Sequence, residues 1–405
     1  MPYNYRAPGV YVVEESGGAR PIGSVGTSTA GFVGVAPDPH ARVDEAVAVN
    51  TWSDFLRIYA DLDDPPGTPL ARAVFGFLDN GGTRCFVVNV GEGGRLTGTG
   101  RRRGGVDVLE TVDEVAIVAA PGYTDAVSYE ALLAHCERMR DRVAVLDPPE
   151  DVDDISALTR VARANGRSAG TGTDPTGTDK PAEQALRPRQ SDYGTCYFPW
   201  IKVRDPFTGE LVATAPSGHL AGVWARTDAL RGVHKAPANE PIRGAVDLTY
   251  LVTRQEQEVL NPAGINCIRY FTGEGIRVWG ARTLAAEASE WRYVNVRRLF
   301  NTLEKSIAGG TRWMVFEPND PTLWRSIRRD IGAFLTRVWR DGALLGRTPQ
   351  EAFFVKCDEE TNPADVRDAG TVVAVIGVAV VKPAEFVVFR LSQWAGGGET
   401  ETMGS

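Results

Sequence analysis

Apolar positions along the chain fall into short runs broken by Gly and Pro, and those runs set the first expectations. Val10-Tyr11-Val12-Val13 reads as one strand between the Pro8-Gly9 breaker and Gly17-Gly18. No tight turn leads from it to a second strand. Its backbone donors and acceptors therefore need a ladder elsewhere in the fold or on another chain. A further apolar strand is predicted over residues 30–35. Trp52-Ser53-Asp54-Phe55-Leu56 opens a short helix, and residues 71–79 form a stronger one closed by Asn80-Gly81-Gly82. Residues 84–90 have the continuous apolar character of a buried strand, and the strand–helix–strand rhythm predicts an α/β layer. Strands near 115–119 and 143–146 flank a helix over about 128–140. Order restarts at 197–203 after two polar stretches, 91–110 and 165–192, which read as loops; the second carries almost no apolar residue and reads as mobile.

The last third is more regular. A helix is expected over 291–308 and a strand over 313–316. Asp320 then supplies an N-cap, with Pro321 at the first helical position. The helix it opens runs to about 341. Trp324, Ile327, Ile331, Phe334, Leu335 and Val338 share one face, and Arg325, Arg329, Arg337 and Arg340 the other. Two strands, 371–381 and 385–391, close the chain around Lys382-Pro383. The tail from 396 to 405 reads as disordered.

Composition narrows the function classes. The chain has 405 residues, formal net charge -8 and 43% hydrophobic residues, enough for one large or two medium cores. No run reaches the roughly 20 apolar residues of a membrane span, so direct membrane insertion is not expected. The polar, proline-containing start is unlike a secretory signal. The acidic balance argues against general nucleic-acid binding. Five scattered cysteines, Cys85, Cys136, Cys196, Cys267 and Cys357, form no C-x-x-C pair, which predicts reduced thiols without zinc.

Enzyme signatures are weak. Gly26-Thr27-Ser28-Thr29-Ala30 is like a serine-protease motif, but the four histidines, His40, His135, His219 and His234, follow it in unrelated contexts. The Gly-rich stretch 91–105 lacks the G-x-x-x-x-G-K-[ST] phosphate cradle. His219 and His234 lack metal-ligand spacing, and Asp228 and Glu240 show no evident pairing. No cofactor or metal is expected. A hydrolase would need a triad that is missing, and a simple binding module would remain monomeric.

A family resemblance organises these pieces. The blocks that carry it are Pro8-Gly9-Val10-Tyr11-Val12-Val13-Glu14-Glu15, Val25-Gly26-Thr27-Ser28-Thr29-Ala30-Gly31-Phe32-Val33-Gly34 and Phe75-Gly76-Phe77-Leu78-Asp79-Asn80-Gly81-Gly82. Downstream come Leu260-Asn261-Pro262-Ala263-Gly264, Val278-Trp279-Gly280-Ala281-Arg282-Thr283, Asn295-Val296-Arg297-Arg298-Leu299, Phe316-Glu317-Pro318-Asn319-Asp320 and Lys382-Pro383-Ala384-Glu385-Phe386-Val387. In this order they resemble contractile tail sheath proteins of injection systems and phage tails.

The resemblance implies a mixed α/β fold with four parts. These are an N-terminal exchange arm over 1–20, a subtilisin-like outer region over 21–284, a tube-facing α/β domain over 285–381, and a C-terminal exchange arm with its tail over 382–405. It implies that each arm adds a strand to a small sheet on a neighbouring subunit. Val10, Tyr11, Val12 and Val13, with Phe386, Val387, Val388, Phe389 and Leu391, are then the arm strands. Gly17, Gly18 and Pro383 are the expected hinges, and Arg325, Arg329, Arg337 and Arg340 the expected contacts to an inner tube. The implied partners are other sheath copies, the tube, and baseplate and cap proteins. The implied setting is cytoplasmic assembly into a phage tail-like particle, or alternatively a phage virion.

Overall fold

The computed structural model describes residues 21–61, 63, 65–99, 102–163 and 184–388. Val10, Tyr11, Val12, Val13, Gly17, Gly18, Phe389 and Leu391 lie outside the described residues, as does the expected disordered tail.

Among the described residues a nine-stranded mixed sheet forms the larger body. Its strand order is Glu240–Pro241, Gly275–Trp279, Ile265–Phe271, Gly194–Phe198, Val143–Leu146, Ile117–Ala119, Ala30–Gly34, Cys85–Asn89 and Val47–Val49. The run from Ile265–Phe271 to Cys85–Asn89 is parallel throughout. The outer strands at both margins are antiparallel. Parallel strands need cover on both faces, and successive side chains supply it. Phe32, Val87, Val143 and Val145 enter one core with helices Trp52–Tyr59, Pro69–Asp79 and Ser217–Arg231. Val33, Val88, Ala144 and Leu146 enter the other, with helix Ala126–Met139.

A third core belongs to the C-terminal part. Leu299 and Leu303 of helix Val294–Gly310 pack with Leu323, Trp324, Ile327, Ile331, Phe334 and Leu335 of helix Pro321–Arg340. The second helix starts where the sequence places it, with the Asp320 carboxylate accepting from the N–H groups of Thr322 and Leu323. Ile22 is also inside this core, 1% exposed.

Several expectations are corrected. The 91–110 loop contains a hairpin, Thr97–Thr99 with Arg102–Gly105, and a 3-10 turn, Val106–Thr111. The C-terminal part of the expected mobile loop, residues 184–192, is tightly bonded. There Arg187 is buried and donates to the Ala263 carbonyl, and Arg189 pairs with Glu130 and Glu137. The rest of that loop lies outside the described residues. Residues 313–316 form no strand: Arg312–Met314 is a 3-10 turn and Phe316 sits at φ 70, which breaks extended geometry. The helix expected from 291 begins at Val294, because 281–283 pair with 292–294 first. The strand expected over 371–381 shortens to Val375–Val378, paired with Phe353–Lys356. Residues 385–388 have no strand partner among the described residues.

Candidate functional site at the roots of the chain ends

The C-terminal end is held by a side-chain cluster that begins deep in the sheet. Buried Asn266 of strand Ile265–Phe271 accepts from the Arg282 backbone N–H at 2.7 Å and donates to the Arg282 carbonyl at 2.8 Å. Gly280 permits this approach, since a Cβ there would stand 2.7 Å from Asn266 Oδ1. With its backbone fixed, Arg282 sends its guanidinium to Glu385. Nε reaches Oε1 at 2.8 Å and Nη2 reaches Oε2 at 2.8 Å, a bidentate fork. Asn261, at the end of helix Arg254–Leu260, donates to Oε1 at 2.8 Å, and the Tyr293 hydroxyl donates to Oε2 at 3.0 Å.

Four donors thus meet one carboxylate. Burial alone would raise its pKa, but the Arg282 and Asn261 bonds outweigh burial and hold Glu385 below the usual carboxylate range. Burial, then the bond to Glu385, pushes the Tyr293 phenol up. Four residues earlier, Asn295 donates to the carbonyls of Val381 and His234. Pro383, the expected hinge, therefore lies between two tethered points. Beyond the clamp, Phe386, Val387 and Val388 are 74%, 68% and 80% exposed.

The N-terminal end has an equally defined root. Ile22 is buried in the C-terminal core and Arg337 donates to its carbonyl. The Val25 N–H donates to Ser306 Oγ at 3.1 Å. Thr27 donates to Asp228 at 2.6 Å while Arg298 donates to the Thr27 carbonyl at 2.9 Å. Arg298 and Asp228 form a buried fork at 3.0 and 2.5 Å, with the guanidinium also over the Trp224 ring. Asp228, unpaired to the eye in sequence, is thus a buried ion-pair partner. Thr27, in the protease-like stretch, serves this root.

The roots are crossed. Ile22, at the start of the described residues, lies in the core of the C-terminal part, and the chain then enters the large sheet at Ala30–Gly34. The C-terminal end follows the C-terminal part in sequence but is clamped to Asn261 and Arg282 beside the large sheet. Nothing in local pattern announces Glu385, Arg282 or Ile22 as partners. The only sequence signal is that Arg282 and Glu385 sit in the blocks 278–283 and 382–387, and Ile22 shortly before the block 25–34.

The four expected tube-contact arginines are divided. Arg325 donates to Thr322 Oγ1 at 3.2 Å, and Arg329 pairs with buried Asp330 at 3.0 Å. Arg337 holds Ile22 and lies 5.9 Å over the Phe334 ring. Arg340 has no recorded partner among the described residues. All four are exposed, and Arg337 is in addition engaged at the N-terminal root.

The two-stranded sheet Phe353–Lys356 with Val375–Val378 has open outer edges among the described residues. Phe354, Val373 and Val375 on or beside it are exposed. A two-stranded sheet is marginal alone, and an open apolar edge is a pairing template.

Other titratable clusters have structural partners. Asp107, Glu110 and His135 come within 4.8 Å of one another, but Arg138 bridges both carboxylates and Arg103 pairs with Glu110. Asp147 accepts from the Ser217 N–H at 2.9 Å and its hydroxyl at 2.6 Å, at the start of helix Ser217–Arg231, while burial pushes its carboxyl up to about 7. All five cysteines are buried and unpaired, and burial raises each thiol.

Residues 105–284 match the family model of the phage tail sheath protein central domain, and 286–393 that of the phage tail sheath C-terminal domain. The chain belongs to the contractile tail sheath family. It is similar to the sheath of an extracellular contractile injection system, the PVC sheath complex in its contracted state. That likeness has TM-score 0.77 and 29% identity over 97% of this chain and 99% of the other. The tail sheath protein of Vibrio phage KVP40 is 33% identical over 177 residues, 43% of this chain and 26% of that protein. That of Salmonella phage ViI is 27% identical over 276 residues, 67% of this chain and 42% of that protein. The chain therefore spans less than half the length of these two phage relatives.

Proposed function

We propose that this chain is the sheath protomer of a contractile injection system. It polymerises around an inner tube in a metastable extended state and contracts to drive the tube through a target envelope. The observation that carries this reading is the pair of firmly rooted chain ends, one continuing into the exposed apolar run Phe386-Val387-Val388, together with the open Phe353–Lys356/Val375–Val378 sheet. A strand supplied by a neighbour would satisfy that edge. Strand addition gives affinity through main-chain hydrogen bonds, each contributing a net ~0.5–1.5 kcal/mol. Two arms per subunit then make a mesh that survives rotation of the bodies.

The likeness to an injection-system sheath, 29% identical over 97% of this chain, supports the injection system, with a phage virion tail as the alternative. Partners in this reading are other copies of the chain, the inner tube through the exposed arginines Arg325, Arg329 and Arg340, and baseplate and cap proteins at the ends. The particle assembles in the cytoplasm. Among the described residues no helix is long and apolar enough to cross a membrane. Contraction is a rigid-body repacking and not a chemical reaction. About 1–2 kcal/mol gained per subunit shifts a two-state balance roughly tenfold, and it sums along a polymer.

Electron microscopy of the purified full chain, alone and with its tube, tests this. A hollow helical cylinder is expected. A chain that stays monomeric at high concentration in both conditions refutes the proposal.

A further inference from the structure

We propose that Glu385 is a positioning residue that sets where the C-terminal segment becomes free to join another subunit. The clamp fixes the chain up to 385 to the body that carries Asn261 and Arg282, so movement begins at Phe386 and not at Pro383. This rests on the strand-exchange reading of the ends.

Three observations converge on it. First, the Glu385 carboxylate accepts from Arg282 twice, from Asn261 and from Tyr293, all at 2.8–3.0 Å, which fills both oxygens. Charge-assisted forks of this kind impose direction as well as affinity. Second, the clamp is itself preorganised. Asn266 fixes the Arg282 backbone from inside the sheet, and Arg282 Nη1 donates to the Asn261 carbonyl at 3.1 Å, so the acceptor site is rigid without the arm. Third, the boundary is sharp. Glu385 is half-buried, whereas Phe386, Val387 and Val388 are exposed and belong to no strand among the described residues.

The consequence is mechanical. A free arm samples a volume set by its length, and the effective concentration of its strand at a neighbour's edge falls as that length grows. Releasing Glu385 would move the tether back to Val381, held by the single Asn295 bond at 3.3 Å. That lengthens the free segment by four residues and lets its direction wander. The clamp therefore sets the direction in which Phe386, Val387 and Val388 leave the body.

The test uses the full chain with a spin label at Ala384→Cys or, separately, Val387→Cys; the native cysteines are buried. In the isolated subunit the label at 384 should be ordered and that at 387 mobile. Glu385→Ala should make 384 as mobile as 387, and Glu385→Gln should fall between. Equal mobility at 384 with and without Glu385→Ala overturns the clamp. In the assembly assay, Glu385→Ala should raise the concentration for half-maximal polymerisation about tenfold, with Glu385→Gln again intermediate. Unchanged assembly by a subunit whose 384 label has become mobile overturns the positioning role. If the label at 387 stays mobile inside wild-type cylinders, strand exchange fails while the clamp stands, so the two ideas fail separately.

Discussion

Replacing Ile22 with Ala probes the N-terminal root directly. Ile22 is 1% exposed and packs among Leu299, Leu303, Leu323 and Phe334, more than 270 residues away in sequence. The substitution removes three carbons, worth about 2.4 kcal/mol in transfer free energy at ~0.8 kcal/mol per buried methylene-sized group. The cavity left behind adds to that cost. Collapse around it is restrained, because the Ile22 carbonyl is held by Arg337 and the Val25 amide by Ser306. A total of about 3–4 kcal/mol is expected, within the range for buried Ile→Ala changes. Urea unfolding of the isolated full-length subunit, followed by tryptophan fluorescence and circular dichroism, reads it as a lower midpoint with unchanged slope. Trp324 shares this core, so its fluorescence contributes to the transition in which the loss should appear. A loss under about 1 kcal/mol would mean that the root is not seated there, and the crossed anchoring of the two ends would be wrong.

Three other outcomes follow from the same contacts. Asp228→Ala leaves the Arg298 guanidinium buried without its carboxylate and should cost about 3–5 kcal/mol in urea unfolding, with a much smaller cost excluding the fork. Burial holds the imidazole of His219 down at about 4, against roughly 6.5 in an unfolded chain. The unfolded chain then binds a proton that the native one refuses, so this group's contribution is full above pH ~6.5 and falls as pH drops towards 4. Asp147, raised to about 7, gives the opposite slope, so the readout is wild type against His219→Gln; parallel pH–stability curves would show that His219 titrates normally. Charge reversal of Arg325 and Arg329 together should weaken co-sedimentation of the sheath with its tube several-fold, and unchanged co-sedimentation would remove this helix face from the interface.

How much of this was legible in the sequence depends on whether the signal is local. The Pro321–Arg340 helix announces itself through the Asp320 cap, Pro321 and a one-sided apolar stripe. The parallel strands Ala30–Gly34, Cys85–Asn89, Ile117–Ala119 and Val143–Leu146 announce themselves as continuous apolar runs, whereas Gly194–Phe198 and Ile265–Phe271 do not. Helix Ser217–Arg231 does not, because its residues from Ser217 to Thr227 are all buried and leave no polar face to set a period. Residues 313–316 have strand composition, yet the turn into the next helix puts Phe316 at φ 70, a tertiary demand that propensity does not contain. Glu385 is a single acidic residue after Lys382-Pro383, and its meaning lies 103 positions upstream at Arg282. Resemblance brought these blocks together as a family pattern; only the fold shows that three of them meet at one carboxylate.

The most direct test of inter-subunit strand exchange is a cysteine cross-link between copies. Subunits carrying Val387→Cys are mixed with subunits carrying Phe354→Cys, which places one thiol beyond the clamp and the other on the open small sheet. The mixture is assembled, oxidised and run on a denaturing gel without reductant. The account predicts a dimer containing one of each chain, formed in cylinders and absent from dilute subunits. Efficient closure within one chain of the double variant at high dilution, with no mixed dimer in cylinders, would contradict it.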